Sequence, residues 1–307
     1  MKKTSNIKNP LVSVIMPVYN ASLYIEQAIK SILNQTYSNY ELIIVDDHSK
    51  DDSRKIISRY RKLYPDRIKV IALKKNLNRG GDACANIAIK KAKGKYIARL
   101  DADDIAIPKR LEKQVTYLEK YQDVFALGGQ ADVINMNGKI IGEKNVPINY
   151  EDIYYEYFNI HPIIHSTLTF RNPKNNSNFY KIKFSANNDY YTLFSLLTKG
   201  KKITNLDKKL VKYRIHGKND TFINIREKLW NTIKIKVEMI IKNSYQPDVR
   251  QYFKLVSQVI IALFIPEKII YFAYLYFKGI KKITNPFRAI SLPKINLYPI
   301  RKPSLIK

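Results

Sequence analysis

Cysteine is almost absent from this sequence: Cys84 stands alone among 307 residues. A single thiol excludes an intrachain disulfide framework and fits a reducing compartment. Cys84 lies between Ala83 and Ala85 on a helical pattern, where a small buried residue is expected. Acidic residues are also scarce, 26 against 54 Lys and Arg, giving a formal net charge of +28. That excess calls for a polyanionic partner: nucleic acid, an anionic membrane surface or a phosphorylated substrate. No zinc-finger spacing and no RNA-recognition pattern is present, so nucleic acid is not expected.

Glycine-rich phosphate loops are missing as well. There is no Gly-x-Gly-x-x-Gly. The pairs Gly94-Lys95 and Gly200-Lys201 lack the earlier glycine of a P-loop, with Ile89 and Ser195 standing there. Phosphates, if bound, would need a metal ion instead. Long apolar runs are lacking too. Leu11 to Val18 is broken by Ser13 and Pro17 and reads as a strand, not a signal peptide. The runs Leu255 to Ile265 and Ile269 to Phe277 each fall short of the roughly 20 residues that span a bilayer. Pro266-Glu267-Lys268 would sit at the centre of any joined span, which is costly.

What is present is a regular alternation. Leu11 to Met16, Tyr40 to Val45, Ile68 to Leu73 and Lys95 to Leu100 read as strands. Between them, Ile25, Ala28, Ile29, Ile32 and Leu33 recur at helical spacing, as do Ile56, Ile57, Tyr60 and Leu63. An alanine-rich helix runs up to Gly94. Strand and helix alternating four times imply an α/β fold with parallel strands and right-handed crossovers. Asn20, Asp47, Asn78, Asp101 and Asp103 then fall along one sheet edge, where open α/β sheets bind ligands.

The second half reads as mixed α+β. A helix follows Pro108, with Leu111, Val115 and Leu118 on one face. Val124 to Leu127 and Ala131 to Met136 read as strands, and Asn137-Gly138 marks a hairpin into Lys139 to Ile141. His165 to Phe170 and Leu210 to Ile215 are further expected strands, with a helix beginning at Asp189. From Ile223 the character changes. Ile225, Leu229, Ile233, Val237 and Ile240 form a helical stripe between lysines, followed by the two short apolar runs. The expectation is helices lying in one leaflet, with Tyr271, Phe272, Tyr274, Tyr276 and Phe277 as interfacial anchors. The tail beyond Gly279 is basic and carries no Asp or Glu, which suits anionic inner-leaflet lipid. The expected parts are a lead-in over 1–10, a main domain over 11–222, helices over 223–280 and a tail over 281–307. The expected location is the cytoplasmic face of the membrane.

The chemistry centres on Asp101-Ala102-Asp103-Asp104, directly after a buried strand. Carboxylates this close need a cation or a donor network to offset their repulsion. Mg²⁺ or Mn²⁺ takes one or two carboxylates and fills its shell with water and phosphate oxygens. The alternative is a solvated acidic turn.

Four ordered motifs carry a resemblance. They are Val12-Ser13-Val14-Ile15-Met16-Pro17-Val18-Tyr19-Asn20, Ser31-Ile32-Leu33-Asn34-Gln35-Thr36-Tyr37, Glu41-Leu42-Ile43-Ile44-Val45-Asp46-Asp47-His48-Ser49, and Gly94 through Asp104. In this order and spacing the chain resembles family 2 glycosyltransferases over roughly residues 11–220. The resemblance implies a GT-A fold, a mixed central sheet flanked by helices. It also implies a nucleotide-sugar donor (a UDP-sugar foremost), a divalent metal (Mn²⁺ or Mg²⁺) and inversion at the anomeric carbon.

Carried over by residue, the resemblance implies a nucleotide site of Pro17, Tyr19, Asp47, Asn78, Gly80 and Asp101, with Arg79 in the turn. It puts Asp103 on the metal and Asp104 behind it in support. Asp189 takes the position of the catalytic base at a helix N-terminus, where a carboxylate is stabilised. Asn188 departs from the acid usual before the base, and Asn178-Phe179-Tyr180 replaces the usual Gly-Gly-Tyr. His216, in Tyr213-Arg214-Ile215-His216, can reach the metal or close over the diphosphate. His165 and Ser166 fall on the acceptor side. The expected acceptor is a glycan or polyprenyl-linked hydroxyl in cell-surface polysaccharide or glycoconjugate synthesis. Two other classes compete: a sugar-nucleotide pyrophosphorylase, and a non-catalytic membrane-surface protein on the same scaffold.

Overall fold

The structure is a computed structural model that describes residues 9–77, 81–173, 178–216, 224–267, 269–270 and 280–281. The chain begins β1 (Val12–Val18), α1 (Ile25–Leu33), β2 (Tyr40–Asp46), α2 (Ser53–Leu63), β3 (Ile68–Ala72), α3 (Asp82–Lys91) and β4 (Tyr96–Arg99). It continues with β5 (Ile105–Ala106), α4 (Arg110–Lys120), β6 (Val124–Ile134), β7 (Ile140–Lys144), α5 (Tyr150–Glu156), a 3-10 turn at His165–Thr167 and β8 (Thr169–Arg171). The last elements are α6 (Asn188–Thr198), β9 (Lys202–Arg214), α7 (Ile225–Asn243), α8 (Val249–Phe264) and β10 (Ile280–Lys281).

One mixed sheet runs β10-β7-β6-β8-β4-β1-β2-β3, with β9 beside β6 and β5 on β9. β3, β2, β1 and β4 are parallel, as the strand–helix alternation implies. β8 inserts antiparallel between β4 and β6. Period-2 alternation splits β1 and β2 between two apolar layers. Val14, Met16, Leu42 and Ile44 face one layer, with α1, α2 and α4. Ile15, Ile43 and Val45 face the other, with α3, α5 and α6. Both faces of the parallel strands are therefore covered, as such sheets require. Gly94 is needed where the chain enters β4: a Cβ there would meet the Ser13 nitrogen at 2.5 Å.

Several elements differ from the sequence expectation. Val124 to Leu127 and Ala131 to Met136 are one strand, β6, not two. Its register against β9 shifts around Gly129 and Gln130, and Gly128 lets Asn205 approach to where a Cβ would stand. The hairpin at Asn137-Gly138 forms, with Gly138 at φ +82°. The expected strand from His165 to Phe170 starts instead as a 3-10 turn. Thr167 bonds back to the Ile164 carbonyl through both its amide (2.8 Å) and its hydroxyl (2.6 Å), local bonds that compete with a ladder. β9 begins at Lys202, well before Leu210, because β6 pairs along its polar half. On α7, Val237 is exposed, while Lys228, Asn231 and Lys236 lie on the buried face. α7 packs through Ile225, Ile233, Ile235 and Met239 and adds polar contacts that the apolar stripe does not reveal.

Among the described residues no helix is long and apolar enough to cross a membrane. Residues 271–277 of the second apolar run, and the basic tail from 282, lie outside the described residues.

Candidate active site

The site is built where β1, β2 and β4 end. Asn20 and His48, each just past a strand end, hold left-handed backbone (φ 49° and 61°). Hydrogen bonds stitch the two turns together: the Asn20 amide donates to Ser49 Oγ at 3.0 Å, and the Lys50 amide donates to Asn20 Oδ1 at 2.7 Å. Asp46 is fully buried and paired with Arg54, so it is structural. Asp47 is buried beside it. Its Oδ1 accepts the Leu77 amide at 2.8 Å, and its carbonyl accepts Asn76 Nδ2 at 2.9 Å. Burial raises the Asp47 carboxyl above its ordinary range, opposed by the Leu77 amide. Pro17 flanks this pocket, 3.2 Å from where a Gly81 Cβ would stand, and Tyr19 is half exposed.

At the end of β4 a buried guanidinium organises two acids. Arg99 Nε donates to Asp101 Oδ1 at 2.9 Å and Nη1 to Asp82 Oδ1 at 2.7 Å, with the Tyr180 ring 5.4 Å away. One cation serves two carboxylates, and they diverge. Burial raises Asp82 well above the carboxylate range, and the Arg99 charge does not cancel it. Burial also opposes charge on Asp101, but Arg99 and His165 outweigh it and hold Asp101 low. The Asp101 amide donates to Ser166 Oγ at 3.1 Å.

Asp103 and Asp104 are held from β9. The Arg214 amide donates to Asp104 Oδ1 at 2.7 Å, and Arg214 Nε donates to the Asp103 carbonyl at 2.8 Å. Arg214 also stacks on Tyr24, 4.6 Å from its ring centre. The other face of this arrangement is His216, stacked on Tyr24 with centroids 5.0 Å apart. His216 Nε2 stands 3.0 Å from Asp103 Oδ2. Asp104 is driven well above the carboxylate range by burial and by the charges of Asp103 and Asp101. Its Oδ2 is buried without a hydrogen-bond partner among the described residues.

This donor set fits a divalent cation. It offers one carboxylate and one imidazole on separate elements, with a second acid behind. No group of three or more protein ligands occurs among the described residues. Mg²⁺ or Mn²⁺ at a diphosphate needs only one or two, the rest coming from phosphate and water. Asp103 and His216 are the residues that would hold it.

Asp189 stands in the first turn of α6. Asn187 before it is left-handed (φ 63°), a conformation asparagine tolerates. Asn187 Nδ2 donates to the Lys228 carbonyl and to Thr232 Oγ1, both at 2.9 Å, so α7 fixes this turn. Asn188 accepts the amides of Lys183 and Phe184 at 2.9 Å and so ties the preceding loop. An acid there would lose the amide's donation to the Phe184 carbonyl, also 2.9 Å. Two imidazoles flank Asp189 Oδ2: His161 Nδ1 at 3.6 Å and His165 Nδ1 at 3.4 Å, ion-pair range rather than hydrogen-bond contact. His165 Nε2 reaches the Tyr180 hydroxyl at 2.9 Å.

The structure thus brings Asp189 and His165 close to the Arg99 cluster that holds Asp82 and Asp101, and pairs Asp103, two residues on from Asp101, with His216. Asp189 and Asp101 both act electrostatically on Asp82, and His165 acts on Asp101. Ser166 is placed differently from the acceptor-side expectation: its buried hydroxyl turns to the Asp101 backbone. Asn78, Arg79 and Gly80 lie outside the described residues. Sequence reasoning missed His161, Arg99 and Asp82. A signal for His161 existed: the chain has only four histidines, and His161 and His165 sit four apart. Nothing in the spacing exposed Asp82, whose role depends on a crossover from α3 to β4.

The family model described as Glycosyl transferase family 2 matches residues 13–179. An uncharacterized glycosyltransferase of Haemophilus influenzae is 38% identical over 75% of this chain and 73% of its own. A Bacillus subtilis glycosyltransferase named for teichuronic acid biosynthesis, TuaG, is 42% identical over 39% of this chain and 46% of its own. Among solved structures, Staphylococcus aureus TarS in complex with UDP aligns at TM-score 0.54 and 18% identity, over 89% of this chain and 88% of that one. The mannosyltransferase PcManGT of Pyrobaculum calidifontis, in complex with GDP-Man and Mn²⁺, aligns at 0.55 and 17%, over 89% and 87%. The fold is that of GT-A glycosyltransferases, a mixed sheet with flanking helices. The chain belongs to glycosyl transferase family 2 and is a glycosyltransferase. Neither the pyrophosphorylase nor the non-catalytic alternative survives that membership.

Proposed function

We propose that this glycosyltransferase moves a sugar, with inversion, from a UDP-sugar to a hydroxyl of a glycan or polyprenyl-linked acceptor in cell-surface polysaccharide synthesis. One observation carries the reading: Asp189, flanked by His161 and His165, lies within electrostatic reach of the Asp82–Arg99–Asp101 cluster at the end of β4, beside which Asp103 pairs with His216. The UDP and GDP-Man bound by the structural neighbours support a nucleotide-sugar donor, and the name of the Bacillus relative supports a cell-surface product. The Mn²⁺ in PcManGT supports a divalent metal.

Pro17, Tyr19 and Asp47 receive the uracil ring, Asp47 as acceptor for its N–H, and Asp101 receives ribose. Asp103 and His216 hold the metal, which when bound neutralises charge on the diphosphate. Asp189 accepts the proton of the acceptor hydroxyl. That oxygen forms its bond to the anomeric carbon as the bond to phosphate breaks, and UDP leaves with the electron pair. The partial positive charge of the α6 N-terminus favours Asp189 as the carboxylate the step requires. Tyr157, Tyr180 and Tyr190, all buried, pack edge-on against the imidazoles beside Asp189.

The test is a screen of nucleotide sugars with Mn²⁺ and Mg²⁺, reading released nucleotide, with UDP and GDP affinities by calorimetry. Release of UDP from one UDP-sugar is the expected result. Tighter metal-dependent binding of GDP than of UDP would overturn the choice of nucleotide.

A further inference from the structure

α1 and α8 are both amphipathic, but α8 is turned the other way. Val249, Phe253, Val256, Ile260, Leu263 and Phe264 fall within an arc of about 100° on the helix. They are between 50% and 75% exposed. The inward face carries Gln251, Gln258, Leu255 and Ala262. Polar clasps fasten that face to the domain at three points. Gln251 Nε2 donates to the Tyr155 carbonyl at 2.9 Å. Lys236 Nζ donates to Gln258 Oε1 at 2.7 Å. Arg226 donates to the carbonyls of Ala262 and Ile265, the latter at 2.6 Å. A helix held by its polar side leaves its apolar stripe for something else, and contiguous exposed apolar surface marks an interaction site.

Charge identifies the occupant. Arg250 and Lys254 are exposed on α8, and Lys234 and Lys242 on α7. The chain as a whole carries +28. An apolar stripe with cationic neighbours is the pattern of a helix lying in the plane of an anionic lipid surface. We propose that α8 docks this enzyme onto an anionic bilayer, with Phe253, Ile260 and Phe264 entering the acyl boundary. Arg226, which clasps the C-terminal end of α8, lies close in sequence to Lys228 and Thr232, which hold Asn187. The docking surface therefore connects through α7 to the turn that carries Asp189. This link bears on the proposed function; the docking itself does not depend on it.

The experiment uses the full chain in co-sedimentation with phosphatidylcholine vesicles and with vesicles containing phosphatidylglycerol. The wild type should bind the anionic vesicles, less so as salt rises. The triple variant Phe253→Ser, Ile260→Ser, Phe264→Ser should bind at least about tenfold more weakly. These positions are exposed, so Trp230 fluorescence and donor hydrolysis should stay unchanged and report an intact fold. Equal vesicle binding by variant and wild type would overturn the proposal. So would a wild-type dimer in lipid-free buffer that the triple variant abolishes, which assigns the stripe to a second copy. Vesicle binding is read without turnover, so it stands or falls apart from the choice of donor.

Discussion

The two rims of the proposed site are built on different principles. The donor rim grows from the ends of β1, β2 and β4, and its acids are fixed by arginines: the exposed Arg54 on Asp46, and the buried Arg99 on Asp82 and Asp101 and Arg214 on the Asp103–Asp104 turn. The base rim is framed differently. Asp189 stands on one helix turn, held by Asn187 and Asn188 through amide bonds and flanked by imidazoles. The difference follows from task. A diphosphate and its metal make the same demands in every such reaction, whereas a base must meet whichever acceptor arrives.

Substitutions can separate the rims. The largest effect is expected at Asp189→Asn: transfer should fall by about 10³-fold or more, while UDP affinity by calorimetry stays near wild type. Transfer within a few-fold of wild type would remove Asp189 from the mechanism. Asp103→Asn should strike the donor rim and lower kcat/KM by on the order of 10²-fold. It should also abolish the Mn²⁺ enhancement of UDP binding, a readout that needs no turnover. Asn187→Ala removes two hydrogen bonds and puts a Cβ without a polar tip at positive φ, a strain of roughly 1–2 kcal/mol. It should cut kcat about tenfold and leave UDP binding alone. Asn187→Gly relieves the strain but not the lost bonds, so it should recover only part of that loss.

The smallest effect concerns stability at the foot of the donor rim. Glu41 accepts from Ser13 Oγ at 2.6 Å, the Lys93 amide at 2.8 Å and Lys69. Burial opposes its charge, but these bonds outweigh burial and hold its carboxyl below 4.5. Glu41→Gln should cost about 1–2 kcal/mol near neutral pH. A carboxyl lowered on folding stabilises fully above its unfolded value and loses that contribution as pH falls through the folded one. The gap in Tm between wild type and variant should therefore close on acidification below about pH 4.5. A gap that does not narrow on acidification would contradict the assignment.

The parallel half was legible because period and covering agree: Val14, Met16, Leu42 and Ile44 alternate and are buried. The helix α1 was legible for the same reason, with Ile25, Ala28, Ile29 and Ile32 all buried. α8 shows the limit. Its periodicity is as regular, yet its stripe faces outward, because amphipathicity locates a helix face and not what covers it. The true start of α8, at an Asp248–Gln251 capping box, was hidden by attention to the apolar run that follows. The acids Asp101, Asp103 and Asp189 were readable as motif positions. Asp82 was not, since its partner Arg99 comes from an element brought beside it only by the sheet order; His161 was marked only by its spacing from His165.

The anchoring of Asn187 on Lys228 and Thr232 bears on where this enzyme may be cut. A fragment ending at residue 222 would keep Asp47, Asp101, Asp103 and Asp189 and the sheet through β9, and by motif content would look complete. It would have lost the ledge against which the left-handed turn before Asp189 is braced. The shortest unit that keeps the Asp189 turn braced therefore extends into α7.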